Sequence, residues 1–249
     1  MQLNELEAYL NQLLDIAKFH DYCPNGLQVE GRSEVRQLVS GVTASLDFLE
    51  AALAARADAV LVHHGYFWRG ENPCLTGMKR RRIGLLLAHD VSLLSYHLPL
   101  DAHPELGNNA QLSHRLGFRE TGRFGGQGIG MYGTLPSNIS NLKELRVSVE
   151  LILSRIPLVI GDDALPVKRV AWCTGGAQDY FGDAIDLGAD VFITGEISER
   201  TVHLARESGV AFISAGHHAT ERYGVQALGD HISKKFDITH QYIDIDNPV

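Results

Sequence analysis

Between Leu3 and Phe19 the apolar positions Leu6, Leu10, Leu13, Leu14 and Ile16 recur at helical spacing, which predicts an opening helix. The period then changes. Gln37–Thr43 reads as a strand, Leu46 to Ala55 as a helix, and Ala59–Val62 as a short apolar run that stops at His63-His64-Gly65. A strand, a helix and a second strand in this order predict parallel pairing. A helix from Met78 to His89 and an apolar run Val91–Tyr96 follow, and the run ends at His97. Ile129–Leu135 reads as a strand and Asn141 to Ile156 as a helix, with Ser137 or Ser140 available as its cap.

The same order returns downstream. Lys168–Thr174 precedes a helical stretch to Leu187, the strand Gly188–Glu196, a helix Glu199–Ser208 and a strand Val210–Ala215. Set side by side, Ala57-Asp58 matches Ala189-Asp190 and Thr43 matches Thr174. His64 then falls on Glu196, His97 on His217 and Asp101 on Glu221. Duplication and the general likeness of βαβ units both account for the echo. The glycine cluster Thr121–Gly128 has no regular period and is taken as the joint, giving lobes at 1–125 and 126–249 that could interleave. The expected fold is α/β: two similar lobes, each a central mixed, largely parallel sheet flanked by helices.

Three strand ends carry the candidate chemistry: His63-His64-Gly65, His97-Leu98-Pro99-Leu100-Asp101 and Gly216-His217-His218-Ala219-Thr220-Glu221. Open α/β sheets place ligands at such ends. Imidazole nitrogen and carboxylate oxygen together suit zinc, iron or manganese, so a metal site, dinuclear in the leading reading, is expected. Adjacent strand residues point to opposite faces, so His63 and His64 can address neighbouring ions only if the strand breaks, as Gly65 would allow. The plain alternative makes one a core residue and the other exposed. His217 and Glu221 share a face if a helix begins there, and Glu221 could bridge two cations. Its alternative is dipole complementation with pairing to Arg222 or Lys234. Pro99 argues against a regular helix and for an extended Leu98. Asp101 is therefore the better ligand there, with His97 open as ligand, supporting partner or general base. His103 and Glu105 border either a pocket or a solvated loop.

Composition narrows the classes. At 249 residues and 45% apolar content the chain can bury one large core or two lobes. A net charge of −8, with no basic run longer than Lys79–Arg82, argues against a nonspecific nucleic-acid clamp. Cys23, Cys74 and Cys173 are odd in number and lack CxxC spacing, which fits a reducing compartment. The acidic start lacks a leader pattern and no apolar stretch is long enough to span a bilayer, so a soluble cytoplasmic protein without membrane association is expected. No P-loop or GxGxxG is present to cradle phosphates.

Asn25–Gly31, Gly41–Ser45, Val62–Gly65, His97–Asp101, Gly107–Asn109, Thr194–Glu196 and Gly216–Glu221 occur together and in order. Through these motifs nearly the whole chain resembles the GTP cyclohydrolase I type 2-like family, also called the NGG-interacting-factor family. The resemblance implies a dinuclear metal site in an interlobe cleft and a toroidal homohexamer built as a trimer of dimers. It implies His63, His64, Asp101, His217 and Glu221 as ligands, with Glu221 bridging, and leaves His97 less secure. Two divalent ions per chain are implied, iron first, with zinc or manganese as alternatives. Some members carry an extra domain near mid-chain, for which the connection after Gly122 leaves no room. The leading expected activity is metal-dependent hydrolysis of a nucleotide or related purine compound, with His97 or Glu196 moving protons. The alternative is a ring-forming binding or scaffold protein in iron handling, nucleotide sensing or a DNA-damage response, without turnover. The blandest reading leaves the histidines a purely structural task.

Overall fold

In the computed structural model, which describes residues 1–249, the N-terminal leucine stripe forms α1 (Leu3–Leu13) and stops sooner than its period suggests. Asp15 adopts a left-handed conformation there and a single 3₁₀ turn follows. In chain order come β1 (Gly26–Val29), β2 (Gln37–Thr43), α2 (Leu46–Ala54), β3 (Ala59–His64), α3 (Gly77–His89), β4 (Ser92–Ser95) and α4 (Leu98–Ala102). Next are α5 (Asn108–Leu116), β5 (Arg119–Phe124), β6 (Gly130–Thr134), α6 (Leu142–Leu153), β7 (Leu158–Ile160), β8 (Arg169–Trp172) and α7 (Phe181–Asp186). The chain closes with β9 (Val191–Thr194), α8 (Glu199–Ser208), β10 (Ala211–Ser214), α9 (His217–Phe236) and β11 (Thr239–Tyr242). No helix is long and apolar enough to cross a membrane.

The chain divides into two units, Met1–Gly107 with Gly224–Asp246, and Asn108–Tyr223 with Asn247–Val249. The first unit's sheet has the order β1-β4-β3-β2-β11. β2, β3, β4 and β11 pair in parallel, and β1 is the antiparallel edge. Both faces are buried, as parallel strands require. Leu38, Leu61 and Leu94 face Leu6 and Leu10 of α1 and Leu228 and Ile232 of α9. Their neighbours Val39, Val60 and Leu93 face Phe48 and Leu49 of α2 and Ile83 and Leu86 of α3. Each such buried leucine contributes about 1.5–3 kcal/mol relative to exposure.

The second unit's sheet has the order β5-β6-β8-β9-β10-β7. β8, β9 and β10 are parallel; β5, β6 and β7 are joined antiparallel. Met131, Val170, Trp172 and Ile193 pack with Leu112 of α5 and Leu145 and Val149 of α6. Phe192 meets Phe124, Phe181 and Phe212 ring to ring. The glycine-rich stretch 121–128 is occupied by the end of β5 and the turn into β6, within this unit.

Two local expectations are corrected. Pro99 does not prevent helix: it sits in the first turn of α4, where a missing N–H costs nothing and its fixed φ suits the helix. The cap of α6 is Asn141, whose side chain accepts from Glu144 N, rather than Ser137 or Ser140. Ser140 takes the reciprocal role, donating its N–H to Glu144 Oε2 at 2.7 Å.

Candidate metal centre

In the first unit, β3 delivers His63 and His64 at its end. Val62↔Ser95 is the last pair between β3 and β4, whereas Thr43↔His64 continues on the β2 side. His63 therefore lies where one flank of the ladder has ended, and the strict alternation of side chains need not hold. The two rings are 4.6 Å apart between centroids, and the His97 ring lies 5.1 Å from His63 and 5.8 Å from His64. One donor atom from each of the three histidines falls within 4.8 Å of the others.

The hydrogen bonds decide which nitrogens are available. His63 is fully buried and its Nδ1 lies 2.9 Å from the Tyr96 carbonyl. A carbonyl only accepts, so Nδ1 carries a proton and donates it there, and Nε2 is the nitrogen on the far side of the ring. That Nε2 lies 3.5 Å from Asp101 Oδ1, and Asp101 is itself buried. His64 Nδ1 meets Thr43 Oγ1 at 3.1 Å. His97 Nδ1 bonds Asp21 Oδ1 at 2.7 Å. Burial works against the charged form of Asp21. Even so, His97, with donors from Asn25 and Tyr22, holds the carboxyl down to about 2. Cys23 also lies in this group, but burial, reinforced by the charge of Asp21, pushes its thiol up to about 12.

In the second unit, α9 begins at His217, so His217 and Glu221 face each other across its first turn as the spacing predicts. His217 Nε2 lies 3.1 Å from Glu221 Oε2, and Nδ1 lies 2.7 Å from Glu196 Oε1. Burial works against an imidazolium at this position. The two carboxylates outweigh it and push the His217 pKa up to about 9. The position is therefore one that favours positive charge, and Glu221, 2% exposed, is among the most buried carboxylates in the chain. Glu196 is the partner of His217 here, which places it as a support of that imidazole.

Two glycines make this half possible. Gly175 has φ +71°, and a Cβ there would lie 2.0 Å from Glu221 Oε1. A Cβ on Gly195 would lie 2.5 Å from the Cα of His217. The main chain beside Gly175 is pinned by Thr220 Oγ1, which accepts from Gly175 N, and by Thr194 Oγ1, which donates to Gly175 O.

His103 and Glu105 are members of none of these donor groups. His103 Nδ1 accepts from the main-chain N–H of Glu105 and Leu106, which closes the turn after α4. The residues missed in the sequence are Asp21, Asn25 and Gly175. Asn25 Oδ1 accepts from His97 N at 2.7 Å and its amide donates to Asp21 at 2.8 Å. The signal for Gly175 was present as a glycine pair directly after the strand-end threonine Thr174.

The donor set fits a divalent cation on chemical grounds. Neutral imidazole nitrogens and ionised carboxylates are the ligands that zinc, iron and manganese share, and His63 and His97 each have the other ring nitrogen held by an acceptor of the chain.

Comparison with known proteins agrees with the motif order. The model of the family described as Duf34/NIF3 (NGG1p interacting factor 3) matches residues 1–248. A Pseudomonas aeruginosa protein named GTP cyclohydrolase 1 type 2 homolog is 55% identical over 99% of this chain and 98% of its own length. A Yersinia pestis protein of the same name is 52% identical over 98% of each chain. Among solved structures, protein ybgI, described as of unknown function, superposes with a TM-score of 0.95 at 49% identity, covering 100% of both chains. Protein TTHA1606 from Thermus thermophilus superposes at 0.89 with 33% identity, again over 100% of both chains. The chain belongs to the DUF34/NIF3 family.

Proposed function

We propose that this chain binds two divalent metal ions through His63, His64, Asp101, His217 and Glu221 and acts as a metal-dependent hydrolase on a nucleotide or related purine compound. The observation that carries the metal reading is the convergence of donor atoms in the first unit: His63, His64 and His97 each bring one within 4.8 Å of the others, and His63 Nε2 lies 3.5 Å from Oδ1 of the buried Asp101. Imidazole nitrogens and a carboxylate gathered in this way are a ligand set for a divalent cation. As the family resemblance implies, Glu221 would be the ligand shared by the two ions. Iron leads among the metals, with zinc and manganese as alternatives.

Bound divalent ions would supply Lewis acidity and a water acidic enough to attack at neutral pH. The chain's own residues supply position and charge: Tyr96 O fixes the His63 tautomer, and Glu196 holds His217 at Nδ1. The purine preference rests on the relatives' printed name, GTP cyclohydrolase 1 type 2 homolog. The hexameric ring is carried by the family resemblance alone.

The test is metal content per chain on untagged protein purified without chelator, for wild type, His217→Ala and Glu221→Ala. About two ions in wild type and fewer than one in either variant are expected. Absence of stoichiometric metal after anaerobic loading would overturn the metal reading. Metal without turnover across a nucleotide panel would leave a binding protein in place of an enzyme.

A further inference from the structure

His97 lies in reach of two donor groups of the first unit, His63 with His64, and Asp21 with Cys23. These are different chemical settings, and the hydrogen bonds on Asp21 choose between them. Asp21 Oδ1 accepts from Tyr22 N at 2.6 Å and from His97 Nδ1 at 2.7 Å. Its Oδ2 accepts from Asn25 Nδ2 at 2.8 Å and from Leu98 N at 2.9 Å. A carboxylate offers about four lone-pair directions, and all of them are used. Asp21, with a side chain 3% exposed, has no capacity left for a cation. Its geometry is that of an orienting group.

What it orients is His97. The ring is held at Nδ1 by Asp21, and the main chain at the same residue is held by Asn25 Oδ1 at 2.7 Å. A carboxylate accepts, so Nδ1 carries the proton, and Nε2 is the nitrogen left for the side of His63 and His64. The Trp68 ring meets His97 edge-on at 5.0 Å and limits its rotation from another side. The helix start places the remaining donor: Leu98 N, which bonds Asp21, opens α4, the helix that carries Asp101.

We propose that Asp21 is the positioning residue of the metal centre, orienting His97 so that its Nε2 faces a cation together with His63 and His64. This rests on the metal reading above and adds to it a third imidazole and a dedicated carboxylate behind it. Asp21 and Asn25 lie on the long segment between α1 and β1, which thereby has a task besides connection.

The experiment is equilibrium binding of Co²⁺ to the full-length metal-free chain, by chelator competition and by visible absorption at saturation. The proteins are wild type, His97→Gln, Asp21→Asn, the double variant and Cys23→Ser, with circular dichroism as the check on folding. His97→Gln is expected to weaken binding by at least tenfold and to change the visible envelope of bound Co²⁺. Asp21→Asn is expected to weaken it by about 10–100-fold. In the His97→Gln background Asp21→Asn should add almost nothing, because it acts through His97. Cys23→Ser should leave the spectrum as in wild type. A wild-type affinity and spectrum in His97→Gln overturns the inference, and so does an equal loss from Asp21→Asn with and without His97. A sulfur-to-cobalt absorption that vanishes in Cys23→Ser also overturns it, by placing the cation at Cys23. Should Asp21→Asn fail to fold, His97→Gln alone decides. Wild-type protein that takes up no Co²⁺ defeats both this inference and the metal reading, whereas uptake that ignores His97 defeats this inference only.

Discussion

The two units run the same βαβαβ course, and their common features are structural while their differences are chemical. In the first, β2, β3 and β4 lie side by side in parallel; in the second, β8, β9 and β10 do. At the matched aspartates the likeness reaches single hydrogen bonds. Asp58 Oδ2 accepts from Arg36 N and Gln37 N, both at 2.9 Å, and its own N–H donates to Gln37 O. Asp190 Oδ2 accepts from Lys168 N and Arg169 N, both at 2.8 Å, and its N–H donates to Arg169 O. In each unit one carboxylate fastens the start of the third element to the start of the first. At the opposite ends of the strands the units part: the first gathers His63, His64 and His97, and the second sets His217 between Glu196 and Glu221.

The sharpest break in the comparison is expected at the strand-end glycines. A Cβ on Gly195 would meet main chain, with the His217 Cα at 2.5 Å and the Gly175 carbonyl oxygen at 2.6 Å. On Gly65 its nearest neighbours would be side-chain atoms, Gln28 Oε1 at 2.3 Å and Ser95 Oγ at 2.7 Å. Side-chain ends can step aside, whereas main chain must shift. Gly195→Ala should therefore cost on the order of 3 kcal/mol and displace His217, and Gly65→Ala about 1 kcal/mol. Urea unfolding of both variants checks the order, and equal costs would mean that the second unit yields as readily as the first.

A smaller effect separates the two aspartates. Asp58→Ala and Asp190→Ala each leave two main-chain N–H groups without their acceptor, and since water can reach them in part, about 1–2 kcal/mol is expected from each. Asp58 also pairs with Arg32 Nη1 at 2.7 Å, so Asp58→Ala should exceed Asp190→Ala by up to about 1 kcal/mol. The same urea series reads the difference. A markedly larger cost at Asp190 would show that the matched hydrogen bonds are unequal in worth.

The frame was legible because buried parallel strands write themselves as short apolar runs: Gln37–Thr43 is β2 as read, and the second βαβ repeat falls on β8, β9 and β10. Edge strands left no such trace. β7 has three residues, with Leu158 52% exposed, and β11 alternates between exposed and half-buried positions. Pairing, not composition, makes them strands. In the same way, His217-x-x-x-Glu221 could be placed on one helical face from spacing alone, since only local geometry is involved. Asp21 could not be found, because its partner His97 lies 76 positions away and nothing at either residue announces the other. Pro99 misled for a related reason. A proline that would break the middle of a helix favours the start of one, and where α4 starts is fixed by Asp21 accepting Leu98 N.

The smallest expected effect is on pH dependence, and it runs in opposite directions in the two units. For metal-free protein, His217 binds its proton more tightly when folded, at about 9, than the ordinary value of 6.5. Its contribution to stability is therefore whole below pH 6.5 and is lost as pH rises through 9. Asp21 is shifted the other way, from 3.8 to about 2, so its contribution is whole above pH 3.8 and is lost as pH falls through 2. The chain has two tryptophans, one in each unit: Trp68 in the first and Trp172, fully buried, in the second. Urea unfolding of Trp68→Phe, followed by Trp172 fluorescence with chelator present, should show the second unit losing stability from pH 6.5 to 9, and His217→Gln should flatten that slope. The effect is modest because His217 keeps 29% of its side chain open to water. Saturating metal should also flatten the slope, because a cation held by His217 Nε2 would displace the proton that this nitrogen otherwise donates to Glu221. A slope that persists unchanged in His217→Gln would move the titration to another group and remove the electrostatic contrast between the two units.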